Sequence, residues 1–339
     1  MKVVTFGEIM LRLAPNGHYR FFQDDKLQAT FGGGEANVAA SLAQFGVDSA
    51  YVTKLPAHAI GQAAVNALRY YGVDTSMIVR GGNRVGIYFL EKGASQRGSV
   101  CIYDRAHSAI AESTRADFDW DAIFAGADWF HFTGITPALG GELIDICRDA
   151  CKAAKAHGVK ISFDPNHRAK LWTIDEAAPT MAEFAAMADV LIVNENQAQQ
   201  LFGVRIPDEY RNGDETDDDG YRWLCETLMA RFGCETVVLS ERRTYAAEDN
   251  RICGKILTGG EFCTARQYRI DIVDRVGGGD ALDAGLIYAL RNGMTAQQAI
   301  DFAVAASAIK HTIEGDVNRT TVAEVEALAF AGGSAQVSR

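Results

Sequence analysis

The sequence lacks a long apolar run and an excess of positive charge. No stretch approaches the roughly 18 consecutive apolar residues of a membrane-spanning helix, and the apolar start at Met1 stops at Gly7, too soon for a secretory signal. These absences predict a cytoplasmic protein. Lysine and arginine number 33 against 44 aspartates and glutamates, a net charge of −11. Nucleic acid is therefore a poor partner, and an anionic ligand must rely on a few local donors.

Cysteine spacing gives no sign of a metal centre or of disulfide bonds. The seven cysteines form no CxxC pair, and their number is odd, so no disulfide framework is implied. Cys147 and Cys151 have a spacing that a metal could use, but they lie in one apolar helical stripe with Leu143, Ile144 and Ala150. Because a free cysteine behaves as a small buried hydrophobe, we expect both to pack in the core.

Histidines and clustered acids also fail to form a recognisable metal motif. The seven histidines contain no HxxxH or HxH pair, and His131, in the middle of a strand, is expected to be a core residue. The acidic segment at 207–220 lacks the spacing of an EF-hand, so we interpret it as a solvated surface loop.

Short β-rich runs alternate with amphipathic helices along most of the chain. Alternating strands and helices with short links build a mostly parallel sheet covered on both faces, so the pattern predicts an α/β fold. The predicted strands are Val3–Phe6, Ala50–Thr53, Trp129–Thr133, Lys160–Asp164, Val190–Val193 and Thr236–Ser240. The predicted helices are Ala36–Phe45, Gly61–Tyr71, Glu142–His157, one between Asp164 and Val190, Tyr221–Phe232, Ala281–Arg291 and Ala303–His311. We expect a single domain over residues 1–328 and a frayed tail at 329–339.

Two early segments, Leu11–Phe31 and Arg84–Arg105, interrupt the alternation. They interleave polar and apolar residues and have no helical period, which predicts antiparallel strands. Placed early in an α/β chain, they would form a small sheet that projects from the main domain. A later hairpin, Ile252–Tyr268, is predicted to turn at Gly259-Gly260.

The strongest local signal is the run Asp274–Asp280, DRVGGGD, which leads into the helix Ala281–Arg291. Three glycines before a helix let the backbone turn tightly and point several N–H groups at one place, where the helix dipole adds positive charge. This predicts an anion site. Asp280 is then either the base that accepts a proton from an attacking hydroxyl or a simple N-cap. A Walker A loop is excluded because no Gly-Lys-Ser/Thr follows, and GxGxxG is also absent.

A second glycine run, Phe31–Asn37, FGGGEAN, leads into another helix. Gly33 and Gly34 would let a ligand approach the backbone closely. Asn37, one turn into the helix, offers both a donor and an acceptor. We predict that these three residues bind the substrate; the alternative is an ordinary junction between a loop and a helix.

From residue 1 to about residue 328 the chain resembles the ribokinase-like (PfkB-type) carbohydrate kinases. The resemblance rests on the two glycine runs, which stand in the family's order near opposite ends of the chain. It implies a Rossmann-like core with a β-sheet lid, and Mg-ATP as the phosphoryl donor. It also implies that Asp280 is the base and that the backbone of Gly277, Gly278 and Gly279 stabilises the charge of the transition state.

Within this family the substrate side resembles that of kinases for 2-keto-3-deoxygluconate, which implies ATP-dependent phosphorylation of the terminal 6-hydroxyl of that sugar acid. The similarity lies in segments 86–88, 102–109 and 164–172. The residues that it implies for the sugar-acid site are Gly34, Tyr88, Tyr103, Arg105 and Arg168. A guanidinium can bind a carboxylate through two bonds, and a tyrosine offers an apolar wall with a hydroxyl. Salt bridges and lid packing are the alternative roles.

On the nucleotide side, Asn194-Glu195 resembles the family's Asn-x-x-Glu motif, which organises phosphate and Mg²⁺ through water. The fourth position here is Gln197, which lacks the negative charge, so Glu195 is expected to act on the metal indirectly. Ser240 ends a strand where the family contacts the nucleotide, and Glu241–Thr244 replaces the usual Gly-x-x-Gly.

The remaining implied nucleotide contacts lie near the C-terminus. The helix Ala303–His311 occupies the position at which such kinases bind adenine. The implied nucleotide-binding residues are Asn194, Ser240, Gly277, Gly279, Ser307 and His311. The segments near Asp274 and Val276 resemble the family's monovalent-cation loop, which adds such a cation to the implied cofactors.

Other functions fit parts of the pattern. A fructokinase would not need a cation for a carboxylate, so Arg105 and Arg168 argue against it. A non-catalytic sugar or nucleotide sensor is disfavoured by the intact Gly-Gly-Gly-Asp run and favoured by Gln197. An oxidoreductase that uses a dinucleotide is disfavoured because the glycine loop lies at the wrong end of the chain. The expected partners are small molecules, with a second subunit paired through exposed lid strands.

Overall fold

The computed structural model describes residues 1–213 and 215–331. Its strands are β1 (Lys2–Phe6), β2 (Met10–Ala14), β3 (Gln28–Gly32), β4 (Ser49–Val52), β5 (Lys54–Leu55), β6 (Val79–Arg80), β7 (Ile87–Glu91), β8 (Val100–Asp104), β9 (Ala127–Thr133), β10 (Lys160–Asp164), β11 (Val190–Val193), β12 (Arg211–Asn212), β13 (Glu215–Thr216), β14 (Thr236–Thr244), β15 (Asp249–Thr258), β16 (Glu261–Thr264) and β17 (Tyr268–Asp271). Its α-helices are α1 (Gly34–Gln44), α2 (Ala59–Tyr70), α3 (Trp120–Phe124), α4 (Leu143–Ala156), α5 (Ile174–Ala185), α6 (Glu195–Phe202), α7 (Asp218–Phe232), α8 (Gly278–Arg291), α9 (Ala296–Lys310) and α10 (Val322–Phe330). Across these ranges, no helix has the length and apolar character required to cross a membrane.

The central sheet confirms the predicted α/β fold. Strands β14, β11, β10, β9, β1 and β4 lie side by side in this order and run parallel. Strands β15, β16 and β17 extend the sheet beyond β14 with antiparallel pairing. Since β1 has β4 on one side and β9 on the other, the strand order reverses at β1. The carboxyl ends of β1 and β9 therefore border the crevice in which α/β sheets bind ligands.

Helices cover both faces of the sheet. Helices α4, α5 and α7 contribute to one apolar layer, and α1, α8 and α9 contribute to the other. Successive strand residues point to opposite layers, as Leu191 and Ile192 of β11 do. Cys147 and Cys151 are free thiols, fully buried in the first layer, which confirms their predicted place in the core.

Close packing of α8 on α9 sets the position of the glycine loop, residues 277–279. A Cβ at position 285 of α8 would lie only 2.9 Å from the Cα of Ala303 in α9, so glycine is required for this approach. Thr295 caps the start of α9 and accepts a bond from the backbone N–H of Gln298. The two helices thus bring the C-terminal end of α9 under the N-terminal end of α8.

A separate sheet with the order β3, β2, β7 and β8 confirms the predicted small second sheet, called the lid sheet below. Strand β2 pairs antiparallel with β3, and β7 pairs antiparallel with β8, as expected. Strands β2 and β7, however, run parallel, so the antiparallel prediction was wrong for this pair. The chain between β3 and β7 returns through α1, β4 and α2 of the main domain, and such a crossover makes parallel pairing possible.

Some predicted boundaries differ from the structure. Strand β14 does not end at Ser240: it continues through Glu241–Thr244, which pair with β15 as far as Asn250. The partner strand decides this extension, which the polar sequence did not indicate. The Gly259-Gly260 turn joins β15 to β16 as predicted. Helix α10 continues to Phe330, and most of the predicted tail, 332–339, lies outside the described residues.

Candidate active site

The two glycine runs meet at one point in the fold. Helix α1 begins at Gly34 and α8 begins at Gly278. The side-chain amide of Asn37 donates a 2.7 Å hydrogen bond to Asp280 Oδ2, and its Oδ1 accepts a 3.4 Å bond from the N–H of Gly33. Asp280 Oδ1 lies 3.7 Å from the place that a Cβ at Gly34 would take. The side-chain nitrogen and oxygen of Asn37 are thus both hydrogen-bonded within the protein. Because these bonds fix its amide, Asn37 holds the carboxylate of Asp280 in place.

Asp280 is not the N-cap of α8. That position belongs to Gly277, whose φ of +84° lies in the left-handed region that favours glycine. A Cβ at Gly277 would also lie 1.9 Å from the carbonyl oxygen of Asp316, so no side chain fits. The first N–H groups of α8 have no acceptor within the helix, and Gly277, Gly279 and Asp280 line a cleft. The predicted anion site would lie at this end of α8.

Ser307 and His311 support the glycine loop from below. Ser307 Oγ donates a 2.7 Å bond to the carbonyl of Gly278. His311 is fully buried; a Cβ at Gly278 would lie 2.2 Å from its Cε1, and its Nδ1–H donates to the carbonyl of Ser307 at 2.6 Å. Burial, followed by the nearby guanidinium of Arg242, lowers the pKa of His311 to about 4. His311 thus lies buried beneath the glycine loop, and its implied nucleotide contact stays a prediction.

Two further acids, the half-buried Asp164 and the buried Glu35, lie near Asp280. Burial raises the pKa of Asp280 to about 6, and the bond from Asn37 opposes the shift. Burial also raises the pKa of Asp164, which lines the same cleft, to about 7, and it raises the pKa of Glu35. Glu35 Oε1 accepts bonds from the Thr133 N–H at 3.0 Å and the Thr133 hydroxyl at 2.7 Å. A carboxylate with a raised pKa accepts a proton more readily near neutral pH.

The two predicted arginines differ in their surroundings. Arg105 forms a buried ion pair with Glu8, with 2.7 Å between Arg105 Nε and Glu8 Oε2. Its charge is compensated within the protein, as in the salt-bridge alternative, and the predicted bond of Arg105 to a substrate carboxylate stays a prediction. Arg168 is exposed on the cleft wall, and its bonds go to the carbonyls of Asn166 and His167, both at 3.3 Å. No ion pair of Arg168 occurs within residues 1–213 and 215–331, which leaves its charge available to an anion.

The tyrosine wall forms as expected. The rings of Tyr88 and Tyr103 lie 6.1 Å apart between centroids, and both line the cleft. The hydroxyl of Tyr88 donates to Asp316 Oδ2, so it is engaged within the protein. Lys170 and Arg105 lie over the ring of Tyr103 at 5.7 and 5.3 Å. Two cationic side chains therefore lie beside Tyr103, which belongs to strand β8 of the lid sheet.

Sequence reasoning missed a buried ion network below the glycine loop. Arg12 of β2 binds Asp274 Oδ2 at 2.5 Å and Asp316 Oδ1 at 2.6 Å. All three side chains are at most 3% exposed. Asp274 belongs to the recognised motif, but Arg12 and Asp316 stand in unremarkable sequence at opposite ends of the chain. Arg12 lies in a strand and Asp316 in a loop, and no residue pattern around either position could have identified them.

The segment Asn194–Gln197, which resembles the family's Asn-x-x-Glu motif, borders the same cleft. The cleft has a volume of about 1380 Å³, and Asn194, Glu195 and Ser240 line it. Asn194 caps α6, because its Oδ1 accepts from the N–H of Gln197 at 2.9 Å while Gln197 Oε1 accepts from the N–H of Asn194 at 3.0 Å. Glu195 forms an ion pair with Arg211. The glutamine at position 197 thus has a structural role, which the spacing of Asn194 and Gln197 could have indicated as a capping box.

A second unpredicted feature is the contact between His131 and Asp283. His131 is fully buried, as predicted for a core residue, and its Nδ1 lies 2.9 Å from the hydroxyl of Ser162. Its Nε2 is 3.7 Å from Asp283 Oδ2, and neither atom has a hydrogen-bond partner among the described residues. Burial lowers the pKa of His131 to about 3 and raises that of Asp283. The pair is therefore held without charge.

Comparison with known proteins agrees with this geometry. The sequence model of the pfkB family carbohydrate kinases matches residues 1–321. The chain is 30% identical over 338 residues to a 2-dehydro-3-deoxygalactonokinase of Haloferax volcanii, covering 100% of this chain and 99% of that one. It is 27% identical to a 2-dehydro-3-deoxygluconokinase of Bacillus subtilis, covering 94% and 92%. The crystal structure of a 2-dehydro-3-deoxygluconokinase from Thermotoga maritima superposes with a TM-score of 0.93 at 48% identity, covering 97% and 98%.

Proposed function

The chain belongs to the pfkB family of carbohydrate kinases, and on this basis we propose that it phosphorylates the 6-hydroxyl of 2-keto-3-deoxygluconate with ATP. One observation carries the proposal: Asp280, the start of α8 and the exposed guanidinium of Arg168 open onto one cleft. These groups respectively accept a proton, bind a phosphoryl group and bind a carboxylate. Together they fit a kinase for a sugar acid better than one for a neutral sugar.

The proposed reaction is an in-line phosphoryl transfer. The oxygen of the 6-hydroxyl bonds to the γ-phosphorus, the bond from that phosphorus to the β-phosphate oxygen breaks, and ADP leaves. Asp280 takes the hydroxyl proton and later returns it to water. Asn37 keeps the carboxylate aimed at the acceptor. The first N–H groups of α8 and the helix dipole stabilise the charge on the transferred group.

The proposed substrate contacts follow from the geometry of the cleft. Gly34 and Tyr103 line the sugar position, and Arg168 binds the carboxylate. Tyr88 and Arg105 are proposed to fix the lid strands against the main domain and not to bind the substrate directly. Their polar groups are already bound to Asp316 and Glu8. This division is supported by burial: Tyr88 is 4% exposed and Arg105 is 9% exposed.

The nucleotide is proposed to lie along Asn194 and Ser240, with its phosphates at Gly277 and Gly279. Within the described residues no group of three His, Cys, Asp or Glu side chains is able to hold a metal ion. We propose that the Mg²⁺ ion is carried by the nucleotide phosphates. Asn194 and Glu195 would bind the water ligands of this ion. When bound, the ion would neutralise part of the phosphate charge.

The C4 epimer, 2-keto-3-deoxygalactonate, is a second candidate substrate. The Haloferax relative, 30% identical along its full length, is named for that sugar acid. A coupled assay of ADP release on 2-keto-3-deoxygluconate, its C4 epimer, fructose, ribose and adenosine decides between them. We expect the highest kcat/KM for 2-keto-3-deoxygluconate and little turnover of fructose. Equal turnover of fructose would contradict the assignment to a sugar acid.

We further propose that the protein forms a homo-oligomer in the cytoplasm through its lid. Strand β8 is an edge of the lid sheet, and Val100 and Ile102 on it are 40% and 50% exposed. An exposed edge with apolar side chains favours pairing with a second copy. Sedimentation of the wild type and of a Val100→Lys, Ile102→Lys double variant tests this. A wild-type monomer at micromolar concentration would overturn it.

A further inference from the structure

Lys310, the last residue of α9, lies buried directly below the glycine loop. Its exposed fraction is 0%, and its Cε is 3.1 Å from the position that a Cβ at Gly277 would take. An ammonium group at the C-terminal end of a helix is stabilised by the helix dipole. Sequence analysis did not single out Lys310, because a lysine in the last turn of a helix is ordinarily a solvated residue.

The ammonium binds backbone carbonyls. Lys310 Nζ donates to the carbonyl of Asp274 at 3.2 Å and to that of Ile313 at 3.1 Å. Backbone carbonyls are also the groups that replace the hydration shell of a bound K⁺ ion. The ammonium and K⁺ are alike in charge and size, so a carbonyl cage holds one or the other. Here the carbonyl of Asp274, in the segment that resembles a monovalent-cation loop, is bound to the lysine.

The carboxylates nearby are also fully engaged. Asp274 Oδ2 binds Arg12 and the N–H of Gly315, and its Oδ1 accepts from the N–H of Val276. Asp316 binds Arg12 through Oδ1 and Tyr88 through Oδ2. Two carboxylates thus face two cationic side chains, Arg12 and Lys310. A further cation would have to enter a buried cluster that is already neutral, which is unfavourable.

The residues present therefore do not fit the monovalent cation that the family resemblance implies. Burial lowers the pKa of Lys310, and the charges of Asp274 and Asp316 oppose this shift. We propose that the Lys310 ammonium takes the place of that cation, and that this kinase works without K⁺ or Na⁺. Lys310 acts as a positioning residue, because it ties Asp274 and Ile313 together beneath the loop that carries the anion site. The inference rests on the proposed kinase activity.

The first test uses the wild-type protein. ADP release with 2-keto-3-deoxygluconate is measured in KCl, NaCl and choline chloride at equal ionic strength, with all buffers free of other alkali cations. We expect the same kcat in the three salts. The melting temperature with bound ADP is also expected to be the same in KCl and choline chloride. A several-fold higher kcat in KCl would overturn the proposal.

The second test removes the ammonium. In choline chloride, Lys310→Met should lower kcat by about 10–100-fold, the usual cost of losing a group that positions catalytic atoms, with little change in the KM of the sugar acid. KCl should then restore much of the kcat and raise the melting temperature of this variant, because the carbonyls of Asp274 and Ile313 become available. A role in packing alone gives no such recovery.

Lys54→Met is the matched control, since Lys54 pairs with Asp117 away from the cleft and should gain no response to K⁺. A Lys310→Met protein with normal kcat in choline chloride would overturn the proposal, as would one that K⁺ neither activates nor stabilises. If Lys310→Met does not fold, the salt comparison on the wild type still decides. If the wild type phosphorylates none of the sugars, the proposed function fails, whereas the melting temperatures still report on the cation.

Discussion

Asn37 and Asp280 are 243 positions apart in the chain, yet the amide of one donates a 2.7 Å hydrogen bond to the carboxylate of the other. The bond joins the N-terminal turn of α1 to that of α8 and turns two glycine loops into one site. It also opposes the effect of burial on the pKa of Asp280, because it favours the charged carboxylate. The ionisation of Asp280 therefore depends on Asn37.

Replacement of Asp280 by asparagine should remove the base and leave the shape of the site unchanged. We expect turnover to fall by roughly 10²–10⁴-fold, the usual contribution of a positioned base, with little change in the KM values of sugar acid and ATP. Steady-state kinetics checks this, with Asp271→Asn, an exposed acid, as the control. Near-normal turnover of a folded Asp280→Asn protein would contradict the assignment.

Removal of the Asn37 amide should shift the pH dependence of the reaction. The pKa of Asp280 is about 6 with the bond in place, and losing the bond raises it further. Since the base works only when ionised, the acid limb of kcat/KM should move to higher pH in Asn37→Ala and activity should recover in alkaline buffer. Ser41→Ala, one turn along α1, is the control. An unchanged limb would mean that Asn37 does not act through Asp280.

Replacement of Arg168 tests the identity of the substrate. A hydrogen bond to a charged group contributes roughly 1.5–3 kcal/mol, so Arg168→Leu should raise the KM of the sugar acid by about 10–150-fold. The KM of ATP should hardly change, and Arg168→Lys should recover part of the loss. Arg115→Leu, at an exposed ion pair with Asp149, is the control. Equal losses for ATP and sugar acid would place Arg168 at the phosphates.

Gln197→Glu should lower the Mg²⁺ concentration needed for half activity. A glutamate at this position can accept the same bond from the N–H of Asn194, so the capping box survives, and it adds negative charge on the nucleotide side. Titration of activity with Mg²⁺ checks this, and Gln200→Glu in the same helix is the comparison. If the half-activity concentration stays unchanged, position 197 does not influence the metal.

Because the contact between His131 and Asp283 is uncharged, we expect Asp283→Asn to become more stable than the wild type as pH rises. The folded-state pKa of Asp283 is raised above its usual value, so its contribution to stability is full at acid pH and is lost as pH rises through that pKa. Asp283→Asn removes this loss. Its melting temperature relative to wild type should therefore increase from about pH 5 to about pH 8. A difference that does not vary with pH would show that Asp283 does not titrate.

Local patterns in the sequence predicted much of the fold. The strands Lys160–Asp164 and Val190–Val193 have the predicted bounds, because their apolar runs, flanked by helical periods, leave few alternatives. The glycine runs and Asp280 were also recognisable, since a tight turn before a helix needs particular residues at adjacent positions. Cys147 and Cys151 belonged to the core because one helical stripe contained both.

Tertiary contacts decided what the side chains of the site do. Arg12 and Asp316 are 304 positions apart, and no local pattern marks either one. Arg105 pairs with Glu8 instead of remaining free, Asn37 binds Asp280, and Lys310 reaches the carbonyl of Asp274. Each of these partners comes from a distant segment, so its identity depends on how the sheet, the lid and the helices pack. The sequence by itself determined most elements and the two glycine runs, because local periodicity and tight turns need particular residues at adjacent positions, whereas the tertiary structure alone determined which charged side chains are paired within the protein, because their partners lie in distant segments.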